Sequence, residues 1–146
     1  MNRKELEALI LEKYSASPEF LFADSPDCAV FRHVGNRKWF AIIMRIPKSK
    51  LGIMENRSVN IVNFKLGGDR DDIWEYDGIF PAYHMNKRLW ISVLLDGSVP
   101  KTVVEGLLYD SYFVTSPFFK KKSKKTVYFR LIRKYTVTFM LCLTGF

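Results

Sequence analysis

The segment 28–44, CAVFRHVGNRKWFAIIM, constrains the fold more than any other stretch of the chain. Two runs of β-branched and aromatic residues flank Gly35-Asn36, a pair suited to the positive φ angles of a two-residue hairpin turn. The pattern predicts strands over about 28–34 and 37–44. The second run is nearly all apolar, so its strand needs cover on both faces and belongs centrally in a sheet.

The remaining elements can be placed around this hairpin. Residues 2–14 carry Leu6, Ile10 and Tyr14 at four-residue intervals with Leu11 beside them, the spacing of an amphipathic helix. Ser17-Pro18 is expected to stop it, because the residue before proline avoids the α region. Residues 18–27 hold two Pro and two Asp and read as a connecting loop. Residues 57–65 alternate, with Val59 and Ile61, and Asn63 in the same parity, set against Asn60, Val62 and Phe64; this is a third strand. Gly67-Gly68 breaks it, and Asp69 can cap a short helix over 70–76. Residues 79–88 read as an irregular polar-aromatic connection. Residues 89–95 make a fourth strand closed by Asp96-Gly97. Pro100 fits the first turn of a last helix, whose apolar face is Val103, Val104, Leu107, Leu108 and Tyr112. The order predicts one α+β domain over residues 1–117: an antiparallel sheet of four to five strands with helices packed on one face.

The charge is unevenly distributed. The formal net charge is +8, yet residues 1–117 hold 15 Lys+Arg and all 15 Asp+Glu, so that span is neutral. The other eight basic residues lie in 118–146, starting with Lys120, Lys121 and Lys122. The Lys run is read first as a solvated tail; as a function it would add salt-sensitive attraction to polyanions. Residues 127–143 alternate with high β-propensity. They can add an edge strand or hairpin, lie at a membrane surface, or represent sequence foreign to the domain, such as a shifted reading frame. We read 118–146 as an accessory, poorly integrated extension.

Other classes are disfavoured. Two Cys, Cys28 and Cys142, cannot build a disulfide framework, and with His33 and His84 they lack the paired spacing of structural zinc. Cys28 reads as a small buried apolar residue and His33 as an exposed strand residue beside the turn. Asp69, Asp71 and Asp72 fit helix capping better than a calcium loop. Acidic residues near the start argue against a signal peptide, and no apolar run reaches the length of a membrane span. A reduced, cytoplasmic protein without cofactor or metal is the expectation.

The richest chemistry lies between positions 83 and 90. Tyr83, His84, Asn86, Lys87, Arg88 and Trp90 gather aromatic faces, an amide and two cations. Bases stack on aromatic rings at about 1–3 kcal/mol each, and Lys and Arg neutralise phosphates, so the string can hold single-stranded or deformed nucleic acid. A structural reading competes: Tyr83, Met85 and Trp90 as core anchors, with His84 and Asn86 satisfying loop backbone. His84 has no assignable nucleophile, carboxylate or metal partner, so an enzyme is the least expected class.

The string YHMNKRLWISVLLDG at 83–97, preceded by Phe80-Pro81-Ala82, resembles the signature of the MmcQ/YjbR family. CAVFRHVGNRKWFAIIM, IPKSKLG, VNIVNFK and the closing helix with Asp110-Ser111-Tyr112 agree in order. The resemblance covers roughly residues 1–117. It implies a small cytoplasmic bacterial protein with a two-layer α+β fold similar to the type III secretion chaperone group, and members often carry a DNA-binding label. The segment 67–77 is short for the helix such proteins carry there. Two functions follow as expectations. The first is a non-enzymatic binding protein contacting DNA or RNA, with Lys87, Arg88 and Lys120–Lys122 on phosphates and Tyr83, His84 and Trp90 stacking. The second is a protein-interaction or chaperone-like module using an apolar patch on the open sheet face or a sheet edge.

Overall fold

The computed structural model describes residues 1–118. The extension assigned to 118–146, including Lys120, Lys121 and Lys122, therefore lies outside the described residues except at its first position. Helix α1 spans Arg3–Tyr14 and helix α2 spans Lys101–Thr115. Six strands lie between them: β1 (Glu19–Phe20), β2 (Ala29–Arg32), β3 (Trp39–Pro47), β4 (Ser58–Lys65), β5 (Ile79–Pro81) and β6 (Trp90–Leu94). All pairings are antiparallel, in the order β1-β2-β3-β4-β6-β5. The α+β class and the layer arrangement follow the sequence expectation. The sheet has six strands because two short edge strands, β1 and β5, form within segments read as loops. Each is only two or three residues long, too short for periodicity to show.

Strand β3 is central and covered on both faces, as its composition requires. Phe40, Ala41 and Ile43 enter the core under the helices with Val62, Phe64, Ile91 and Val93, where Leu6, Ile10, Val104, Leu107 and Leu108 meet them. Ile42, Met44 and Ile46 face the other way. Burying such a side chain stabilises by about 1.5–3 kcal/mol, so the two-sided pattern firmly sets the register.

The helix termini show how local chemistry refines the pattern. Asn2 and Glu5 form a reciprocal capping box at the start of α1. The helix ends at Ser15, not at Ser17-Pro18, because Ser15 turns left-handed (φ 51°) and donates its N–H to the Leu11 carbonyl. Leu11 points outward to solvent. Pro100 is the residue that caps α2, one position before the first helical residue. Over 70–76 the chain makes only a 3₁₀ turn, Asp71–Glu75, and no side chain caps it. Asp72 instead receives two bonds from the Arg70 guanidinium, at 2.7 Å each, which hold its carboxyl below the ordinary aspartate range. A third bond runs from Arg70 to Asp110, whose burial pushes its carboxyl up.

The hairpin departs from the expected two-residue turn. The strands part at His33 and rejoin at Trp39, with Arg37 (φ 58°), not Gly35 or Asn36, in the left-handed region. Asn36 receives the Lys38 N–H on its side-chain oxygen, and a register shift falls between Phe31 and Arg32. A longer loop with one left-handed residue suits such a bulge. The extra residue is Phe40 on β3; along β2 the alternation runs on unbroken, and His33, in the parity of Ala29 and Phe31, turns inward under the helices. It is 4% exposed, with its ring 4.1 Å from that of Tyr112 and 5.2 Å from that of Phe40. The reading of His33 as an exposed strand residue is thus corrected.

Candidate binding groove on the helix-free face

The side of the sheet away from the helices carries the candidate site, and two buried polar residues organise it. Asn63 of β4 and Ser92 of β6 are register partners with no solvent exposure. The Ser92 hydroxyl donates to Asn63 Oδ1 at 2.6 Å and accepts the Tyr83 N–H at 2.9 Å. Asn63 Nδ2 donates to the Tyr83 carbonyl at 2.9 Å. Both backbone groups of Tyr83 are therefore satisfied by the sheet, and the segment 82–85 is pinned across its surface. Ala82 is buried and Met85 packs toward Cys28, Val30, Ile42 and Trp90. Tyr83 packs toward Ile46, Val59, Ile61 and Leu94.

His84 follows in the left-handed region at φ 57°, a conformation that costs a non-glycine residue about 1–2 kcal/mol. The turn leaves its ring exposed and 4.0 Å from that of Tyr83. Asn86 then closes a tight turn. Its carbonyl accepts the N–H groups of Leu89 and Trp90, and its side-chain oxygen accepts that of Arg88. Lys87 and Arg88 project to solvent from this turn.

A groove of about 690 Å³ opens beside the pinned segment. Ile42, Met44 and Ile46 supply the β3 wall with Trp39 at one end; Leu21, Phe22, Asp24 and Asp27 supply the opposing loop; Tyr83, His84 and Met85 complete it. Phe22 meets Trp39 edge-on at 6.1 Å, and the Arg32 guanidinium lies 5.5 Å from the Trp39 ring centroid. Arg45 is the cation of the lining. Cys28 lies at its base, buried, and burial with the nearby Asp27 charge pushes its thiol up, away from the reactive thiolate.

The structure divides the residues singled out at 83–90. Tyr83 and His84 line the groove. Asn86, Lys87 and Arg88 stand on the adjoining turn, outside it. Trp90 is 7% exposed and packed under Met85, Ala82 and Ile42, with the Lys65 ammonium 5.9 Å from its ring centroid. It anchors the sheet rather than offering a face to a base. Sequence reasoning passed over Phe22, Trp39, Met44 and Arg45. The available signal was the β3 parity, which sends 42, 44 and 46 to one face, together with the apolar run Phe20-Leu21-Phe22 in a loop otherwise rich in Asp and Pro.

Among the described residues, no group of three or more His, Cys, Asp or Glu is arranged to hold a metal ion, and no helix is long and apolar enough to cross a membrane.

Residues 11–114 match the YjbR family profile. The chain belongs to the YjbR family. It is 31% identical over 116 residues to YyaQ, an uncharacterised Bacillus subtilis protein, covering 79% of this chain and 98% of that one. A Pseudomonas syringae crystal structure is similar at 37% identity with a TM-score of 0.74, covering 80% of this chain and all of the other. A Deinococcus radiodurans crystal structure is similar at 25% identity with a TM-score of 0.59, covering 85% and 86% of the two chains. The YjbR-family match spans all six strands, β1 to β6, and so includes the elements that build the groove.

Proposed function

We propose that this YjbR-family protein is a non-enzymatic binding module whose groove receives an apolar segment of a protein partner. One observation carries the reading. The residues facing the groove are mainly apolar or aromatic, while its charged groups are mixed: Arg45 against Asp24 and Asp27. Residues 1–117 are neutral, so bulk attraction to a polyanion does not originate in the domain. Affinity then rests on apolar contact, with each anchor side chain contributing about 1.5–3 kcal/mol before ordering costs. The pinned Tyr83 backbone supports a pre-formed wall. The test is fluorescence titration of the full chain with 1-anilinonaphthalene-8-sulfonate and with a disordered Leu/Phe-rich peptide. Binding of both is expected to change little with salt. Met44→Glu places a charge on the wall and is expected to weaken binding by about tenfold or more. Unchanged binding in a folded Met44→Glu protein overturns the reading.

A second reading is nucleic-acid contact, favoured by the exposed His84 ring beside Tyr83 and by Lys87 and Arg88 next to it. Here Tyr83 and His84 stack bases while Lys87, Arg88 and Lys120–Lys122 meet phosphates. Labelled DNA and RNA titrated at two salt concentrations separate the two. Binding that falls steeply with salt and with Lys87→Ala/Arg88→Ala favours nucleic acid. Its absence at low salt excludes it.

A further inference from the structure

The chain leaves the domain close to the exposed lip of the groove. Thr115, in the last turn of α2, is fastened to the β2–β3 hairpin: its hydroxyl lies 2.8 Å from His33 Nε2, and its carbonyl accepts the Asn36 side-chain N–H at 2.9 Å. Arg37 of the same hairpin reaches Glu19 of β1 at 2.6 Å. Phe118 follows shortly after Thr115 and is exposed, so the chain departs on the side of the sheet that β1 borders. Phe20, Leu21 and Phe22, 58%, 44% and 41% exposed, run from β1 to the groove. Phe20 pairs with Ala29, which lies about 13 Å along β2 from His33 at strand spacing. Residues 119–126 can span at most about 29 Å when extended, enough to round the short edge strand and carry position 127 to the groove.

Charge and pattern point the same way. From Tyr14 to Phe31 the chain carries Glu19, Asp24 and Asp27 and no Lys or Arg. Arg32 and Arg37 take up Glu19, whereas Asp24 and Asp27 are exposed and make no ion pair among the described residues. Residues 118–146 carry eight basic residues and no acid, with five Lys between 120 and 125. Val127, Phe129 and Leu131 then recur at every second position, directly after the lysines. A basic run followed by spaced apolar side chains is the complement of an acidic loop beside an apolar groove. Tethering supplies an effective concentration on the order of millimolar, so even a weak contact is populated.

We propose that the chain's own residues 120–131 reversibly cover this groove, with the lysines against Asp24 and Asp27 and with Val127, Phe129 and Leu131 over the wall formed by Trp39, Met44 and Tyr83. The proposal rests on the reading of the groove as a protein-binding surface and names an occupant carried in the same chain. A partner segment then binds by displacing the extension, which sets a threshold on partner affinity. Exposed ion pairs contribute little here beyond placing the segment, so salt changes the competition only slightly.

Amide chemical shifts of the full chain test this, wild type against Phe129→Asp/Leu131→Asp. Neither substitution alters a residue of the described core. The expected result is a set of shift differences within the domain gathered at Leu21, Phe22, Trp39, Met44 and Tyr83, with a gain of about tenfold in affinity for the Leu/Phe-rich peptide once the tethered competitor is released. Asp24→Lys, at an exposed position, is expected to move the Trp39 and Met44 resonances toward those of the double variant, because it sets a lysine against the lysine run. Shift differences absent from the groove residues overturn the proposal. Peptide titration of the same two proteins separates that failure from failure of the groove reading. If both bind the peptide equally, in a manner sensitive to Met44→Glu, only the proposal about the extension falls. If neither binds it and the groove shifts do not differ, the groove reading falls as well.

Discussion

The imidazole Nε2 of His33 lies 2.8 Å from the Thr115 hydroxyl, so the β2–β3 hairpin and the last turn of α2 share a buried hydrogen bond. Asn36 reinforces it by donating to the Thr115 carbonyl at 2.9 Å. The Thr115 hydroxyl is also 2.7 Å from the Ser111 carbonyl, and Ser111 in turn bonds the Phe40 carbonyl and the Lys65 N–H. One side of α2 is thus tied to β2, β3 and β4 by polar contacts inside an apolar core. Thr115→Val keeps the shape and removes the partner of His33. A loss of about 1–3 kcal/mol is expected, the penalty for a buried polar group left unpaired. The shift of the urea midpoint at pH 7.5 measures it.

The same histidine gives stability a pH dependence. Burial lowers the His33 pKa below its ordinary value, with a backbone hydrogen bond to Tyr112 acting in the opposite sense. The folded protein therefore binds fewer protons at this position than the unfolded chain. Its contribution is complete above about pH 6.5 and is lost as the pH falls from there toward the folded-state pKa. Denaturation midpoints between pH 7.5 and 5.5 are expected to drop in the wild type. His33→Gln is expected to be less stable at pH 7.5 but to show a flatter profile. Parallel profiles for the two proteins would contradict this assignment.

Ser92→Ala tests the pin beneath the groove. It strands the Tyr83 N–H and one lone pair of Asn63, at an expected cost of about 1–3 kcal/mol. A purely global effect would raise exchange uniformly. The expected result is a larger loss of amide protection at Tyr83 than in β3, with weaker peptide binding at temperatures where the protein remains folded.

His84 tests the left-handed turn. A β-branched side chain tolerates positive φ poorly, so His84→Val is expected to lose about 1–2 kcal/mol. His84→Gly relieves the backbone while losing the ring contact with Tyr83, and is expected to remain within about 1 kcal/mol of wild type. Thermal melts of the two variants measure the difference. Equal stability of Val and Gly at this position would show that the turn carries no strain.

What was readable in the sequence follows from where periodicity is strong. The two-sided burial of β3 is written in WFAIIM, and the parity of Val59, Ile61 and Asn63 against Val62 and Phe64 places β4 correctly. The edge strands were hidden because two or three residues carry no period, and Pro18 just before β1 and Pro81 within β5 are residues that strands disfavour. His33 was misplaced because its place beside the turn suggested exposure, whereas the alternation of Ala29 and Phe31 continues through it into the core. The site was only half legible for a related reason. A contiguous string of attractive residues, Tyr83 to Trp90, is cut by the His84 turn and the Asn86 turn, which send Trp90 into the sheet and Lys87 and Arg88 away from the groove. Its counterparts Phe22, Trp39 and Arg45 come from two other elements, a juxtaposition that only the folded sheet supplies.

Amide chemical-shift mapping of the full chain during titration with the Leu/Phe-rich peptide tests the central claim most directly. The account predicts perturbations gathered at Phe22, Asp24, Trp39, Met44, Arg45 and Tyr83–Met85, little altered by salt. Perturbations confined to the outer surfaces of α1 and α2, or no response to the peptide alongside salt-sensitive shifts at Lys87 and Arg88 on adding an oligonucleotide, would contradict it.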